Sequence, residues 1–216
     1  MAVSKYHPVE ALQEAYAAGQ RIFGESHVQE LQQKHEVLPS DIEWHFIGHL
    51  QTNKVKYIAP YVSLIHAVDT PRLLMEIEKQ ASKAGRSISC LLELHVAEEE
   101  SKFGVTIEGA GDLVREILDT CENIRIRGLM SVAPIAEDPR DVKPYFDAVK
   151  AKYDELAQID DPKLDFVYLS MGMSHDFAVA IEAGSNLVRV GSAIFGERDY
   201  EQYRKDQEAK KNGNVQ

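Results

Sequence analysis

Residues 89–96 have the sequence SCLLELHV and residues 187–195 have the sequence LVRVGSAIF, and these two stretches decide the fold class. Each is apolar at nearly every position, which is typical of a strand buried on both faces of a parallel sheet. Short β-rich runs of this kind alternate with longer helical patterns, and this alternation indicates repeated βα units. The predicted strands cover residues 2–4, 21–23, 44–47, 64–67, 89–96, 125–131, 166–169 and 187–190.

The eight predicted strands favour one α/β barrel. Between them, apolar residues recur at three- and four-residue spacing, as expected of helices that pack on a sheet. Eight strands covered on both faces fit a barrel better than an open doubly wound sheet. We therefore predict a single (β/α)8 TIM-type barrel over residues 1–198, followed by a polar tail over residues 199–216.

The composition limits the class of protein. The 216 residues are 44% hydrophobic and 27% charged, which suits a soluble globular domain. Acidic residues outnumber basic ones 35 to 24, and the net charge of −11 repels nucleic acid and anionic lipid. The two cysteines, Cys90 and Cys121, supply neither a disulfide framework nor a metal cage. With no apolar run long enough to span a bilayer, we expect a cytoplasmic protein that binds neither nucleic acid nor membrane.

Lys5 is the first candidate for chemistry, because reactive groups in such a barrel lie at the carboxyl ends of the strands. It follows the first predicted strand, where the barrel mouth could desolvate its ammonium and favour the reactive free amine. Such an amine forms a Schiff base with an aldehyde. The alternative is a solvated lysine that merely ends a strand.

Small and hydroxyl-bearing residues follow the last two strands. Ser170, Gly172 and Ser174 come after the seventh strand, and Gly191 and Ser192 come after the eighth. Backbone amides in such turns bind phosphate, and barrel enzymes often hold a phosphate group at this position. The alternative is a pair of tight turns with serine caps.

Arg189 lies in the apolar context LVRVGS, where its guanidinium needs an acceptor. We expect it to point at a partner inside the barrel mouth, the alternative being a structural ion pair with a carboxylate such as Glu93.

His45 and His49 have the spacing of metal ligands on a helix, but they straddle a strand end, so no metal site is predicted. Dinucleotide, P-loop and serine-hydrolase motifs do not occur in the sequence.

Seven blocks of the sequence carry a resemblance to a known family. They are AVSK (2–5), GQRIFGE (19–25), VQEL (28–31), WHFIGHLQTNK (44–54), GLM (128–130), LSMGMSHDF (169–177) and VRVGSAIFGER (188–198). In this order they resemble the pyridoxal phosphate homeostasis proteins of the YggS/PROSC type. The resemblance implies a barrel similar to the N-terminal domain of alanine racemase.

The resemblance also implies the cofactor and its ligands. Pyridoxal phosphate would be held as an aldimine of Lys5, and Arg189 would face the pyridine nitrogen. Because a guanidinium only donates hydrogen bonds, it leaves that nitrogen unprotonated and the ring a weaker electron sink. The residues implied to hold the phosphate are Ser170, Gly172, Ser174, Gly191 and Ser192.

The function implied by the resemblance is that of a non-catalytic carrier. It would take part in intracellular vitamin B6 homeostasis by buffering pyridoxal phosphate or delivering it to apo-enzymes. One alternative is a weakly active racemase or transaminase, which would need an acid or base across the ring from Lys5 that the sequence does not identify. A second alternative is a barrel that binds another phosphorylated metabolite and does not need Lys5.

Three features of the chain depart from the family pattern. Ser26 stands where the family has the asparagine of FGEN, and His95 stands where it commonly has asparagine, which adds a titratable group near the mouth. Family members carry a leading helix before AVSK, whereas Met1 directly precedes that block here.

Lys102, in a loop near the mouth, is interpreted as solvated, with transient acceptance of the cofactor as the alternative.

Overall fold

The computed structural model describes residues 1–96 and 104–197, in which strands and helices alternate. The strands in these residues are β1 Ala2–Val3, β2 Ile22–Glu25, β3 Glu43–Phe46, β4 Leu64–Val68, β5 Ile88–His95, β6 Val105–Thr106, β7 Ile124–Ser131, β8 Leu164–Met173 and β9 Leu187–Arg189. The helices are α1 Val9–Ala17, α2 Val28–Val37, α3 Val55–Ile58, α4 Pro71–Ala84, α5 Ala110–Thr120, α6 Lys143–Leu156, α7 Phe177–Glu182 and α8 Ser192–Phe195. Short 3₁₀ turns precede α3 and α6.

The strands form a parallel barrel. They pair in the order β1-β2-β3-β4-β5-β7-β8-β9, and the short β6 pairs with β5 outside this ring. The ring closes where the Val3 N–H donates to the carbonyl of Val190 over 2.8 Å and the Val190 N–H donates to the carbonyl of Met1 over 3.2 Å. The predicted (β/α)8 barrel is therefore confirmed, and each predicted strand has a counterpart in the ring.

Two apolar layers stabilise the barrel. The outer layer lies between strands and helices and includes the fully buried rings of Phe23, Trp44 and Phe146. Successive strand residues face opposite sides of a sheet, so the residues that alternate with this layer face the barrel interior. These interior residues form a separate buried cluster made of Leu64, Ala67, Leu91, Met130 and Leu187.

β8 differs most from its prediction, because it continues to Met173 instead of ending at residue 169. Ser170 pairs with Leu187 and Met173 pairs with Arg189, so β8 carries one extra residue between these pairs, which is a β-bulge. Gly172 lies in the bulge with φ at 89°, a backbone conformation that side chains disfavour. The prediction that Ser170 and Gly172 lie in a loop after the strand was therefore wrong, since the bulge lets the strand continue.

Some predictions fall outside the described residues. Lys102 and the polar tail at 199–216 do so, and the domain boundary at residue 198 stays a prediction. Within the described residues, no helix has the length and apolar character needed to cross a membrane. Cys90 and Cys121 are both buried free thiols.

Candidate functional site

Lys5 lies in the turn that follows β1, at the carboxyl edge of the barrel. The turn begins at the fully buried Ser4, whose N–H donates to the carbonyl of Gly24 over 3.0 Å. It closes where the His7 N–H donates to the Ser4 carbonyl over 3.1 Å. Tyr6 adopts a left-handed φ of 68°, which is uncommon for a residue other than glycine. Lys5 itself is half-buried at this edge.

A cluster of three buried charged residues, Glu25, Glu30 and Lys34, lies behind this turn. The Lys34 ammonium donates to Glu25 Oε1 and to Glu30 Oε1, each over 2.7 Å. It also donates to the Ser4 carbonyl over 2.7 Å, and the Ser4 hydroxyl donates to Glu25 Oε1 over 2.6 Å. The Tyr6 N–H donates to Glu30 Oε1 over 2.7 Å. The cluster therefore contacts the turn on both sides of Lys5.

The two carboxyl groups of this cluster have pKa values shifted in opposite directions. Burial raises the pKa of Glu25 to about 7, although the Lys34 ammonium opposes the shift. Burial also acts to raise the pKa of Glu30, but hydrogen bonds from His27, Lys34 and the Tyr6 amide hold it below the ordinary value. Glu25 therefore holds its proton to a higher pH than Glu30 does.

Arg189 ends β9 with only 5% of its surface exposed. Its NH1 nitrogen donates to the carbonyl and to the hydroxyl of Ser170, each over 2.8 Å, and its NH2 nitrogen donates to the Ser131 carbonyl over 2.8 Å. Burial lowers the pKa of Arg189 to about 10, so the guanidinium remains charged at neutral pH. Glu93 attracts this charge, but the guanidinium is hydrogen-bonded to Ser170 and Ser131 and not to Glu93.

A chain of hydrogen bonds continues from Arg189 through the barrel interior. The Ser170 hydroxyl lies 3.2 Å from His66 Nδ1, and His66 Nε2 lies 3.1 Å from His45 Nδ1. The Arg189 guanidinium donates to the Ser170 hydroxyl, and the tautomers of His66 and His45 set which atom donates in the next two contacts. Burial lowers the pKa of both imidazoles, that of His45 to about 4, so both rings are neutral at pH 7.

The two histidines considered as metal ligands have different surroundings. His45 is buried and bonded to His66, whereas His49 is half-exposed and lies 3.8 Å from an oxygen of Asp69. In the part of the chain that the structure describes, no group of three or more His, Cys, Asp or Glu side chains could hold a metal ion.

The residues predicted to hold a phosphate are divided between two places. The Gly191 N–H donates to the Ser174 hydroxyl over 3.3 Å, so the turns after β8 and β9 meet at the rim, where Ser192 is exposed. Ser170 instead lies in the barrel interior below the rim, bonded to Arg189. Gly172 faces α7, where an added Cβ atom would lie 2.6 Å from Cβ of Ala180.

Sequence reasoning missed the partners that hold Lys5 and Arg189 in place. His66 carried a signal, because a polar residue inside the apolar strand LIHAV needs a buried partner. No sequence feature indicated that Glu30 and Lys34 are buried, because their four-residue spacing on α2 is also that of an ordinary exposed ion pair.

Comparison with known proteins agrees with this fold. The family model described as alanine racemase, N-terminal domain, matches residues 1–199. A pyridoxal phosphate homeostasis protein of Aquifex aeolicus (strain VF5) is 44% identical over 201 residues, covering 93% of this chain and 87% of the relative. The chain belongs to the pyridoxal phosphate homeostasis protein family. A relative of the same name from Schizosaccharomyces pombe is 38% identical over 205 residues, 93% of this chain and 84% of its own.

Solved structures share the barrel. PipY of Synechococcus elongatus PCC7942, solved with pyridoxal phosphate bound, is 36% identical and superposes with a TM-score of 0.81, with 91% of each chain covered. Alanine racemase from Streptomyces coelicolor A3(2) superposes with a TM-score of 0.68 at 20% identity, over 91% of this chain and 53% of the racemase. At that identity the racemase shows the common fold alone.

Proposed function

We propose that this chain binds pyridoxal phosphate at the carboxyl edge of its barrel, with Lys5 as the covalent anchor. The observation that best supports this proposal is the order of the strands in the ring. β9 pairs with β8 on one side, and the residue after β9 pairs with β1 on the other. The strand ends that carry Lys5, Arg189 and Ser174 are therefore neighbours on one rim.

The donor groups on this rim fit the chemistry of the cofactor. When bound, pyridoxal phosphate supplies an aldehyde that condenses with a primary amine and releases water. Lys5 offers that amine, and Arg189 offers N–H donors that suit an unprotonated pyridine nitrogen. Ser174, Gly191 and Ser192 offer hydroxyl and amide donors for the phosphate. The relative from Aquifex aeolicus is named for this cofactor, and PipY was solved with it bound.

Two of the predicted phosphate ligands receive other roles in this proposal. Ser170 acts through Arg189, because its carbonyl and hydroxyl both accept hydrogen bonds from the guanidinium. Gly172 acts through α7, because its lack of a side chain lets that helix approach β8. Ser174, Gly191 and Ser192 are the groups that remain for the phosphate.

We infer that the chain is a cofactor carrier in the cytoplasm and not a catalyst. Arg189 remains charged and can only donate, so it does not supply the proton that would make a pyridine ring a strong electron sink. The role that follows is vitamin B6 homeostasis: the chain buffers pyridoxal phosphate and delivers it to the apo forms of enzymes that use it.

A second candidate function, weak racemase or transaminase activity, is supported by Glu93. Burial and the nearby Asp69 carboxylate raise the pKa of Glu93 to about 7, a value that suits a general acid or base at neutral pH. If the chain has such activity, Glu93→Gln should abolish it and leave cofactor binding intact. Chiral analysis of alanine and assay of pyruvate after incubation with the loaded protein would decide this. Unchanged D- and L-alanine with wild-type protein excludes a racemase, and absence of pyruvate excludes a transaminase.

The experiment that tests the main proposal is an absorption titration with pyridoxal phosphate, followed by borohydride reduction and peptide mapping. We expect a visible band and a label on Lys5, both lost in Lys5→Ala. Lys79→Ala is the matched control, because Lys79 is an exposed lysine in the middle of α4, where it pairs with Glu76. A label spread over surface lysines, or equal binding by Lys5→Ala, would contradict the proposal and favour a phosphometabolite bound without a covalent link.

A further inference from the structure

The turn that carries Lys5 is held on both sides by one buried charge cluster, Glu25, Glu30 and Lys34. The Lys34 ammonium donates to the carbonyl of Ser4, the residue before Lys5, over 2.7 Å. Glu30 Oε1 accepts from the N–H of Tyr6, the residue after Lys5, also over 2.7 Å. Lys34 and Glu30 are in turn joined by a 2.7 Å ion pair.

The cluster satisfies the hydrogen-bonding capacity of its cation. An ammonium has three N–H donors, and those of Lys34 match its three acceptors, which are the Ser4 carbonyl and one oxygen each of Glu25 and Glu30. Lys34 is 4% exposed and Glu25 is fully buried. Burying charges is costly, and apolar residues in their place are often as stable or more so. Stability alone therefore does not account for this cluster.

The backbone beside Lys5 needs the support that the cluster gives. Tyr6 has a φ of 68°, and a residue with a side chain persists in this region only where its surroundings hold it there. The hydrogen bond from the Tyr6 amide to the buried Glu30 carboxylate is such a support. The left-handed residue turns the chain at the rim, so the orientation of Lys5 depends on this backbone geometry.

We propose that Glu25, Glu30 and Lys34 are positioning residues that hold the turn from Ser4 to Tyr6 and so present the Lys5 amine to the cofactor. This inference rests on the proposed role of Lys5. The three side chains act through the turn, since they are buried and contact the Ser4 carbonyl and the Tyr6 amide on either side of Lys5.

A matched pair of variants at Glu30 tests the proposal. Glu30→Met keeps the length of the side chain but removes the acceptor of the Tyr6 amide, while Lys34 stays paired with Glu25. Glu30→Gln keeps an acceptor oxygen. Amide exchange of Tyr6 followed by NMR, without cofactor, should accelerate about tenfold in Glu30→Met and stay near wild type in Glu30→Gln, because the acceptor of the Tyr6 amide is lost only in the former.

The same pair is then tested with pyridoxal phosphate, by the rate at which borohydride traps the cofactor on Lys5. We expect a loss of about tenfold in Glu30→Met and rescue in Glu30→Gln. Leu31→Ala, a fully buried core change on the same helix, controls for general loss of stability. An equal loss in Leu31→Ala at equal stability, or wild-type exchange and trapping in Glu30→Met, would overturn the positioning role.

Failure of the proposed function would be visible separately. If wild-type protein is not labelled at Lys5, the covalent anchor is wrong and the cofactor part of this inference falls with it. The exchange measurement uses no cofactor, so it still decides whether Glu30 holds the turn.

Discussion

The charge on Arg189 persists in a buried position because backbone and hydroxyl oxygens surround it. Three hydrogen bonds, to Ser170 and Ser131, compensate the water that the guanidinium loses. The neutral His66 and His45 rings continue the chain without adding a second positive charge. Ser170 thus connects the Arg189 guanidinium to His66 and His45 in the barrel interior.

Replacing Ser170 tests this link. Ser170→Ala removes the hydroxyl between Arg189 and His66, so cofactor affinity should fall about tenfold, the usual effect of losing one hydrogen bond to a charged group. Equilibrium titration with pyridoxal phosphate measures the change. Thr120→Ala is the control, because that hydroxyl bonds the backbone near the end of α5 and contacts neither Arg189 nor β8. Equal losses in both variants would contradict the specific role of Ser170.

The buried Glu25 predicts a pH dependence of stability. Its pKa rises from the ordinary value of 4.5 to about 7 in the folded chain, so between these values the folded state binds more protons than the unfolded state. The contribution of Glu25 to the free energy of unfolding is complete below pH 4.5 and is lost as the pH rises towards 7. The slope of this loss is at most about 1.4 kcal/mol per pH unit.

Urea unfolding at pH 5 and pH 7 of wild type and Glu25→Gln measures this contribution. Glu30, His45 and His66 have lowered pKa values and act in the opposite direction, so the difference between the two proteins isolates Glu25. Wild type should lose stability relative to Glu25→Gln as the pH rises. A constant difference across this range would show that Glu25 does not titrate there.

At the scale of elements, the bulge in β8 determines which groups meet at the rim. The extra residue between Ser170 and Met173 brings Met173 opposite Arg189. Beyond this pair, the Gly191 N–H donates to the Ser174 hydroxyl over 3.3 Å. The single proton of the Ser185 hydroxyl is shared between the carbonyls of Leu169 and Met171, so Ser185 ties the bulge to the segment before β9. The position of α7 depends on the same bulge through Gly172.

Gly172→Ala should therefore be strongly destabilising. The added Cβ would lie 2.6 Å from Cβ of Ala180, at a φ of 89°, and such strain costs about 1–3 kcal/mol. Denaturant unfolding measures the loss. Gly111→Ala is the control: no atom lies within 4 Å of its added Cβ, and on α5 alanine should stabilise by about 0.5–1 kcal/mol. Equal effects at both glycines would show that the contact with α7 does not matter.

At the scale of the whole molecule, closure of the ring determines which strand ends meet, and the net charge determines the sign of the surface. Closure places β1 beside β9, so the turn with Lys5 and the strand with Arg189 share one rim although they lie at opposite ends of the chain. The net charge of −11 gives the molecule an acidic surface, which suits transient docking on basic surfaces.

If the chain delivers its cofactor by direct docking, transfer to an apo-enzyme with a basic entrance should slow as salt increases. Between about 0.01 M and about 0.1 M salt the screening length falls from about 30 Å to about 10 Å, which weakens long-range attraction between opposite charges. Stopped-flow absorbance follows the transfer, with free pyridoxal phosphate as the control donor. Equal salt dependence for loaded protein and free cofactor would show that transfer passes through solution.

The amino-acid sequence was sufficient to predict the barrel and the residues that could carry its chemistry. Strand and helix periods, apolar runs and short motifs are local patterns, and local patterns place Lys5 and Arg189 at strand ends. The same information predicted Ser174, Gly191 and Ser192 after the last two strands, and the structure brings these residues together at the rim.

The partners of the buried polar groups could not be predicted from the sequence and depend on the folded barrel. Lys34 reaches the carbonyl of Ser4 across 30 positions of sequence, and His66 reaches Ser170 across 104. Such pairs depend on strand register, on the bulge in β8 and on ring closure, because one residue of shift turns each side chain to the opposite face. A buried polar group forms hydrogen bonds with the groups that the closed barrel places within about 3 Å of it. Separation along the sequence does not predict which groups these are.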